Sequence, residues 1–148
     1  KRPDLISEIS SKFGSQCMVL SIEAKRTKEN RWEVYTENGR QKTGIDVLEW
    51  AIEGETRKAG EILLTSIDFE GTRKGFDYEL VQMITEKLSI PVIISGGMGS
   101  LDHIKNLTEK FKPDAIAMAD VLHYERLTVN EVRDYCIKND IEVRKYEQ

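Results

Sequence analysis

The sequence predicts an α/β fold that forms half of an eight-stranded (βα) TIM barrel, with four strand–helix units. Four short, nearly continuous apolar segments alternate with amphipathic segments at helical spacing, a pattern typical of parallel strands covered by helices. A flavodoxin-like, doubly wound sheet normally has five strands, and the chain begins with Lys1 rather than Met. Both observations favour half of a barrel, as a piece of a longer chain, over the alternative of a small open sheet.

The predicted strands are the apolar segments at residues 17–22, 62–66, 91–95 and 115–119. Because their polarity does not alternate, we expect both faces of each strand to be buried. A β-hairpin is predicted after the first strand, in which residues 31–36 and 40–43 flank the turn Glu37-Asn38-Gly39. Asn-Gly is a strong hairpin signal, so the hairpin is predicted as an insertion in the first loop.

Five amphipathic segments predict helices before, between and after the strands. Their apolar stripes consist of Leu5, Ile6, Ile9 and Phe13; Val47, Leu48, Ala51 and Ile52; Leu80, Val81, Ile84 and Leu88; Leu101, Ile104, Leu107 and Phe111; and Val129, Val132, Tyr135 and Cys136. Asp46 with Glu49, and Thr128 with Glu131, have the spacing of capping boxes. No linker rich in Pro, Gly or Ser divides the chain, so residues 1–148 are predicted to form one domain.

The composition argues against several functions. A net charge of −4 without a basic block disfavours nucleic acid as a partner. The sequence has no apolar segment of membrane-spanning length and no signal peptide, so a cytoplasmic protein is predicted. Cys17 and Cys136 form no CxxC motif and are predicted to be isolated buried thiols. The two histidines show no zinc spacing, and neither a metal nor a cofactor is expected.

Polar residues follow each predicted strand, and in βα barrels the chemistry lies where strands end and loops begin. These residues are Glu23, Lys25 and Arg26 after the first strand; Thr65, Asp68, Glu70, Gly71 and Thr72 after the second; Ser95 to Ser100 after the third; and Ala119, Asp120 and His123 after the fourth. We expect them to converge on one rim of the sheet.

The segment SGGMGS at residues 95–100, the glycine loop, is the most informative of these. Its glycines leave backbone N–H groups open to approach, and a helix that begins near Ser100 adds the positive end of its dipole. The sequence therefore predicts a phosphate cradle here. The alternative is a tight strand–helix turn that needs glycine for backbone reasons alone.

Two carboxylates at strand ends are candidates for proton transfer. Asp68 can bind substrate hydroxyls or transfer a proton, or it can belong to a solvated acidic turn. Glu23 ends an apolar strand, where burial is unfavourable without a partner. Lys25 or Arg26 could supply that partner, so a catalytic carboxylate and a structural ion pair both remain open.

Several motifs together resemble one family, the cyclase subunit of imidazole glycerol phosphate synthase. They are FGSQ at residues 13–16, SIEAKR at 21–26, KTGI at 42–45, GEILLTSID at 60–68 followed by Gly71-Thr72, Ser95-Gly96-Gly97, and His123-Tyr124. The resemblance runs from about Asp4 to Arg144 and covers the C-terminal half of the family's barrel.

This resemblance implies a cytoplasmic lyase of histidine biosynthesis. The family uses ammonia from a glutaminase subunit, bound at the bottom face of the full barrel, to split and cyclise a bis-phosphorylated ribulosyl substrate. Carried over, the catalytic residues are Glu23, in place of the second catalytic aspartate, with Thr65, Asp68 and Glu70. Substrate phosphate would bind to Ser95, Gly96, Gly97, Ala119 and Asp120, and Glu61 matches an ammonia-gate residue.

Three residues depart from the family pattern. Glu23 and Glu70 replace aspartates, and a carboxyl displaced by about 1 Å can reduce a rate about a hundredfold. Asp120 replaces a small or hydroxyl residue, and a carboxylate beside phosphate is repulsive unless it is neutralised. The other catalytic aspartate belongs to the N-terminal half-barrel, so this chain alone is expected to be inactive or nearly so.

Two other functions remain open. One is that of a cyclase-like paralogue that works with an amidotransferase on surface sugars. The other is a non-catalytic half-barrel module. In each case we expect unpaired edges at residues 17–22 and 115–119, which an N-terminal half-barrel or a second copy of the chain would cover.

Overall fold

The computed structural model of the protein describes residues 2–28, 30–111 and 113–144. Its strands are β1 (Val19–Lys28), β2 (Arg31–Thr36), β3 (Gln41–Asp46), β4 (Glu61–Ser66), β5 (Val92–Ser95) and β6 (Ala115–Ala117). Its helices are α1 (Asp4–Phe13), α2 (Val47–Thr56), α3 (Tyr78–Thr85), α4 (Leu101–Phe111), α5 (Asp120–His123) and α6 (Val129–Lys138), and a 3-10 turn spans Ser15–Cys17.

Within the described residues the strands form one sheet in the order β3-β2-β1-β4-β5-β6. The four strands β1, β4, β5 and β6 run parallel, and β2 and β3 add an antiparallel hairpin beside β1. The predicted α/β fold of four strand–helix units with a hairpin after the first strand is confirmed. The arrangement is that of a partial barrel.

The parallel strands bury one face of the sheet and leave the other open. On β1, Leu20, Ile22 and Ala24 are buried, whereas Val19, which alternates with them, keeps 44% of its surface exposed. Residues on β4 and β5 alternate in the same way. The expectation that both faces are buried is wrong for the described chain, because its helices cover one face only. We call the other the open face; it carries Val19, Ser21, Glu23, Glu61, Leu63, Thr65, Ile93 and Ser95.

Polar caps set where the chain returns from the rim into helices. The carboxylate of Asp46 accepts hydrogen bonds from the amides of Leu48 and Glu49 at the start of α2. Thr128 and Glu131 form the predicted reciprocal capping box at the start of α6. Each cap satisfies amides that a helix N-terminus leaves without intrahelical partners.

The ends of several elements differ from the prediction. β1 begins at Val19 because the preceding residues turn tightly, and Cys17 is exposed rather than buried. β3 continues to Asp46, three residues beyond the predicted end of the hairpin. β6 ends at Ala117 rather than at Ala119, because the chain turns there into the short helix α5, which the periodicity did not predict.

β1 is not a free edge over its whole length, contrary to expectation. The hairpin folds back beside the strand that precedes it, and β2 pairs with the part of β1 from Glu23 to Lys28. Within the described chain, residues 19–22 pair with β4 alone, and β6 pairs with β5 alone. Part of β1 and all of β6 therefore remain open to a further strand.

Candidate functional site

The carboxyl ends of the parallel strands lie side by side at one rim. Glu23 of β1 is in register with Thr65 of β4, which is in register with Ser95 of β5, and Ser95 pairs with Ala117 of β6. Because neighbouring strands are about 4.8 Å apart, the Cα atoms of Glu23 and Ser95 are separated by about 10 Å. The structure thus brings Glu23, Thr65 and Ser95 together on the open face, but Glu23 does not end its strand, because β1 continues to Lys28 rather than ending at Ile22 as predicted.

A cavity of about 120 Å³ lies at this rim beside β5 and β6, and we call it the rim cavity. It is lined by the five predicted phosphate-binding residues and by Glu70: Ser95, Gly96, Gly97, Ala119, Asp120 and Glu70. Gly71, Met98, Ala117 and Met118 complete the lining. A second cavity, of about 400 Å³, lies between the end of α3 and the end of α4 and contains none of the predicted site residues.

Two backbone amides of the glycine loop, those of Gly96 and Gly97, have no hydrogen-bond partner in the described chain. The N–H groups of Gly96 and Gly97 donate no hydrogen bond to the described residues, although the Gly97 carbonyl accepts one from the Gly75 amide at 2.9 Å. Both glycines have positive φ angles, 97° and 98°. A Cβ on Gly96 would lie 2.7 Å from the Ser66 carbonyl oxygen, and one on Gly97 would collide with that of Gly75.

The positive φ angles and the close backbone contacts therefore require glycine at both positions, as the alternative of a tight strand–helix turn predicts. A tight turn alone does not explain why two amides beside a cavity have no hydrogen-bond partner. Such free N–H groups can bind an anion. Gly99 donates from its amide to Nδ1 of His103 at 3.1 Å, so His103 packs against the loop and holds its end in place.

Asp120 lies between two arginines at the edge of the rim cavity. Its Oδ1 atom is 3.5 Å from Nε of Arg126 and 3.8 Å from Nε of Arg73. This oxygen is buried and has no hydrogen-bond partner within the described residues. The carboxylate is therefore close to two cations but is not locked to either of them by a hydrogen bond.

Glu23 contacts the hairpin rather than a neighbouring cation. Its Oε2 atom accepts a hydrogen bond from the amide of Gly39 at 2.9 Å. Lys25 instead lies over the ring of Tyr35, with Nζ 5.3 Å from the ring centroid. Arg26 projects to the opposite side of β1, because adjacent residues in a strand alternate faces. The alternative left open by the sequence, an ion pair of Glu23 with Lys25 or Arg26, is therefore not formed among the described residues.

The two acidic residues after β4 have different environments. The Oδ2 atom of Asp68 accepts a hydrogen bond from the amide of Arg26 at 2.7 Å, which joins the ends of β1 and β4. Glu70 follows a turn in which its own amide donates to the Ser66 carbonyl, and its side chain extends beside Gly96. Asp68 thus lies at the rim near β1, whereas Glu70 lines the rim cavity.

A buried acid that the sequence analysis did not select lies behind this rim. Asp77 is 3% exposed and accepts hydrogen bonds from Trp32 Nε1 at 3.0 Å and from Ser66 Oγ at 3.3 Å. Arg26 forms an ion pair with it at 3.0 Å and stacks over the Trp32 ring. We call this set the Asp77 network; it ties the hairpin to the loop that carries Asp68 and Glu70.

One signal for Asp77 is present in the sequence. The residue directly precedes the amphipathic segment of α3, which is the place of a helix cap, and its carboxylate accepts a hydrogen bond from the Leu80 amide. Nothing in the spacing indicates the partners Trp32 and Arg26, because they meet Asp77 only through the pairing of strands.

Glu61 lies at the opposite end of the sheet from the rim. It begins β4, pairs in register with Val19, and is on the open face with Leu63 and Thr65. His123 packs its ring edge against Tyr124 at a centroid distance of 4.8 Å, as expected for a packing residue. No helix in the described chain is long and apolar enough to cross a membrane, and the described residues contain no cluster of three metal-binding side chains.

Comparisons with known proteins identify relatives over nearly the whole chain. The model of the family described as histidine biosynthesis protein matches residues 1–128. The subunit HisF of imidazole glycerol phosphate synthase from Prochlorococcus marinus strain NATL1A is 48% identical over 99% of this chain. HisF from Legionella pneumophila is 67% identical over 69% of the chain, and HisF from Thermosynechococcus vestitus is 41% identical over 99%. The chain spans 58%, 48% and 54% of the lengths of these three proteins.

Proposed function

Because the chain belongs to the histidine biosynthesis protein family, we propose that it forms the C-terminal half-barrel of an imidazole glycerol phosphate synthase cyclase. The reaction uses glutamine-derived ammonia to convert a phosphoribulosyl-formimino aminoimidazole carboxamide ribotide into imidazole glycerol phosphate. The observation that carries the proposal is the aligned row of Glu23, Thr65 and Ser95 on the open face, next to a cavity with unused amides.

Glu23 is the proposed acid/base. The Gly39 amide binds one carboxylate oxygen, which orients the group and leaves the second oxygen for substrate. Thr65 lies between Glu23 and the glycine loop and would contact the reacting part of the substrate. Asp68 and Glu70 would contact substrate hydroxyls on either side of this row.

The rim cavity is the proposed site for one substrate phosphate. The amides of Gly96 and Gly97 would donate to phosphate oxygens, with Ser95, Ala119 and Asp120 as the other contacts. A phosphate held at this end leaves the remainder of a long substrate to lie across the open face toward Glu23. The aligned strand ends support that path.

Ammonia would enter at the other end of the sheet. Glu61 stands at the start of β4 on the open face, which in a closed barrel is the interior. A glutaminase subunit at that bottom face would release ammonia next to Glu61, and the interior would lead it to Thr65. An N-terminal half-barrel or a second copy of the chain would close this interior by pairing with the open edges. The isolated chain would be inactive, because the catalytic aspartate that acts together with Glu23 would belong to the other half of the barrel.

A cyclase-like paralogue that acts on another substrate is the second candidate. The observation in its favour is that two departures from the family pattern have partners of their own: Glu23 reaches Gly39, and Asp120 lies between Arg73 and Arg126. A substrate of different shape would use the same barrel and the same rim.

Complementation tests the proposal directly. The full-length protein should restore growth without histidine to a strain that lacks the cyclase, and Glu23→Asp should match or exceed it. Glu23→Gln should abolish growth, whereas Glu109→Gln, an exposed carboxylate on α4, should not. Failure of both the parent and Glu23→Asp would contradict the cyclase. Growth with the parent but no growth with Glu23→Asp would show that glutamate has a role that aspartate cannot take over. This result would favour the paralogue.

A further inference from the structure

We propose that Arg73 and Arg126 complete the anion site at the rim cavity, with Asp120 as the shared counter-ion that holds them in place. The inference rests on the proposed phosphate cradle and extends it. It assigns to the phosphate two side-chain ligands that the glycine loop does not contain.

The two arginines reach Asp120 from different parts of the chain. Arg73 belongs to the loop between β4 and α3, and its backbone packs so closely on the glycine loop that a Cβ on Gly99 would collide with it. Arg126 follows α5 and lies beside the ring of Tyr124. Both approach the same buried oxygen, Oδ1 of Asp120. Two cations from two separate strand–helix units therefore meet at Asp120, which is one of the residues that line the rim cavity.

The charges around the cavity explain why these cations are needed. Glu70 and Asp120 both line it, and two carboxylates next to a phosphate dianion would repel it strongly in a partly desolvated site. The positive charges of Arg73 and Arg126 offset the negative charges of Glu70 and Asp120. The amides of Gly96 and Gly97 can then bind phosphate at a site without net negative charge. Asp120 lies between the two guanidinium groups and offsets their mutual repulsion.

The distances show that the arginines still have donors to offer. A closed ion pair between guanidinium and carboxylate has N–O distances of about 2.7–2.9 Å. The observed 3.5 and 3.8 Å are longer, and the Arg73 and Arg126 side chains remain 46% and 44% exposed. Each guanidinium group can therefore turn a pair of N–H groups toward a phosphate, the geometry that arginine forms with this anion.

A titration with inorganic phosphate, followed by the amide resonances of Gly96 and Gly97 in the full-length protein, tests the inference. Arg73→Gln and Arg126→Gln should each weaken binding about tenfold, the effect of losing one charged hydrogen-bonding group. Arg57→Gln is the matched control, since Arg57 follows α2 and pairs with Asp4 and Glu53 at the opposite end of the sheet. It should leave the affinity unchanged.

The lysine variants Arg73→Lys and Arg126→Lys keep the charge and should weaken binding less than the glutamine variants do. If a glutamine variant fails to fold, the affinity of the corresponding lysine variant for phosphate tests the inference instead. If phosphate shifts Gly96 and Gly97 equally well in all arginine variants, the inference is overturned while the cradle stands. If phosphate shifts neither glycine in the parent protein, the cradle itself is wrong, and with it the proposed phosphate site.

Discussion

The Oε2 atom of Glu23 accepts a hydrogen bond from the amide of Gly39 at 2.9 Å, so the middle of β1 is tied to the turn of the hairpin. Aspartate at this position would be one methylene shorter and would not reach the same amide. Glu23 thus connects the turn of the hairpin to the open face of the sheet.

Glu23→Asp should therefore release the hairpin turn. Hydrogen exchange at the Gly39 amide should accelerate about tenfold, since a hydrogen bond to a charged group contributes about 1.5 kcal/mol. Glu23→Gln keeps an acceptor at the same distance and should accelerate exchange less. The matched control is Glu33→Asp, because Oε1 of Glu33 accepts from the Gly44 amide at 2.8 Å. It should affect Gly44 and leave Gly39 unchanged; equal exchange at Gly39 in all three variants would contradict the contact.

Removal of the Asp77 carboxylate should destabilise the fold behind the rim. Asp77→Ala leaves the buried donors Trp32 Nε1 and Ser66 Oγ without their acceptor, which should lower the free energy of unfolding by about 2–3 kcal/mol. Glu79→Gln removes the exposed partner of Arg26 and should lower it by less than about 1 kcal/mol. Urea denaturation compares the two, and similar losses for both variants would show that the Asp77 network is not a unit.

Gly97 should tolerate no side chain. Gly97→Ala would combine an unfavourable φ of 98° with a collision against the Gly75 carbonyl. Gly44 has a similar φ of 75°, but a Cβ there would lie in open space. Gly44→Ala therefore measures the loss of stability that the positive φ alone causes, about 1–2 kcal/mol. Thermal or urea unfolding should place Gly97→Ala at least about 1 kcal/mol below Gly44→Ala. Equal stability would mean that the loop shifts freely.

Glu55 should make stability depend on acid pH. Its Oε1 atom accepts hydrogen bonds from the hydroxyl and amide of Ser89 and from the Ile90 amide, and these bonds lower the pKa of Glu55 below its ordinary value. A carboxyl with a lowered folded-state pKa stabilises the fold above its unfolded pKa, and this contribution is lost as the pH falls through the folded value. The difference in unfolding free energy between the parent and Glu55→Gln should therefore be larger at about pH 7 than at about pH 3. A constant difference would contradict the assignment.

The open face should drive self-association of the isolated chain. Unpaired edges at residues 19–22 and at β6 can recruit further strands, and an uncovered apolar face is unusual on a monomer. Sedimentation at micromolar concentration should show a species larger than the monomer. Leu63→Lys, on the open face, should weaken the association, whereas Ile52→Lys, on the exposed side of α2, should not. A stable, folded monomer would contradict closure of the barrel through this face.

Local patterns in the sequence were sufficient for the order of the strands and of the five longer helices, though not for the short helix α5. The apolar segments place the four parallel strands, Asn38-Gly39 lies at the tip of the hairpin, and the pair Thr128 and Glu131 begins α6 as predicted. Each of these features depends on residues a few positions apart, where backbone geometry and burial decide the outcome. The glycine loop was identified for the same reason.

The partners of the charged groups were decided by the tertiary structure. Glu23 contacts Gly39 rather than Lys25, Asp77 meets Trp32 and Arg26, and Asp120 lies between two arginines from different loops. These contacts depend on the register between strands and on the direction in which each loop leaves the sheet. The residue types determined by the sequence supply the charges, but only the paired strands place one charge opposite another.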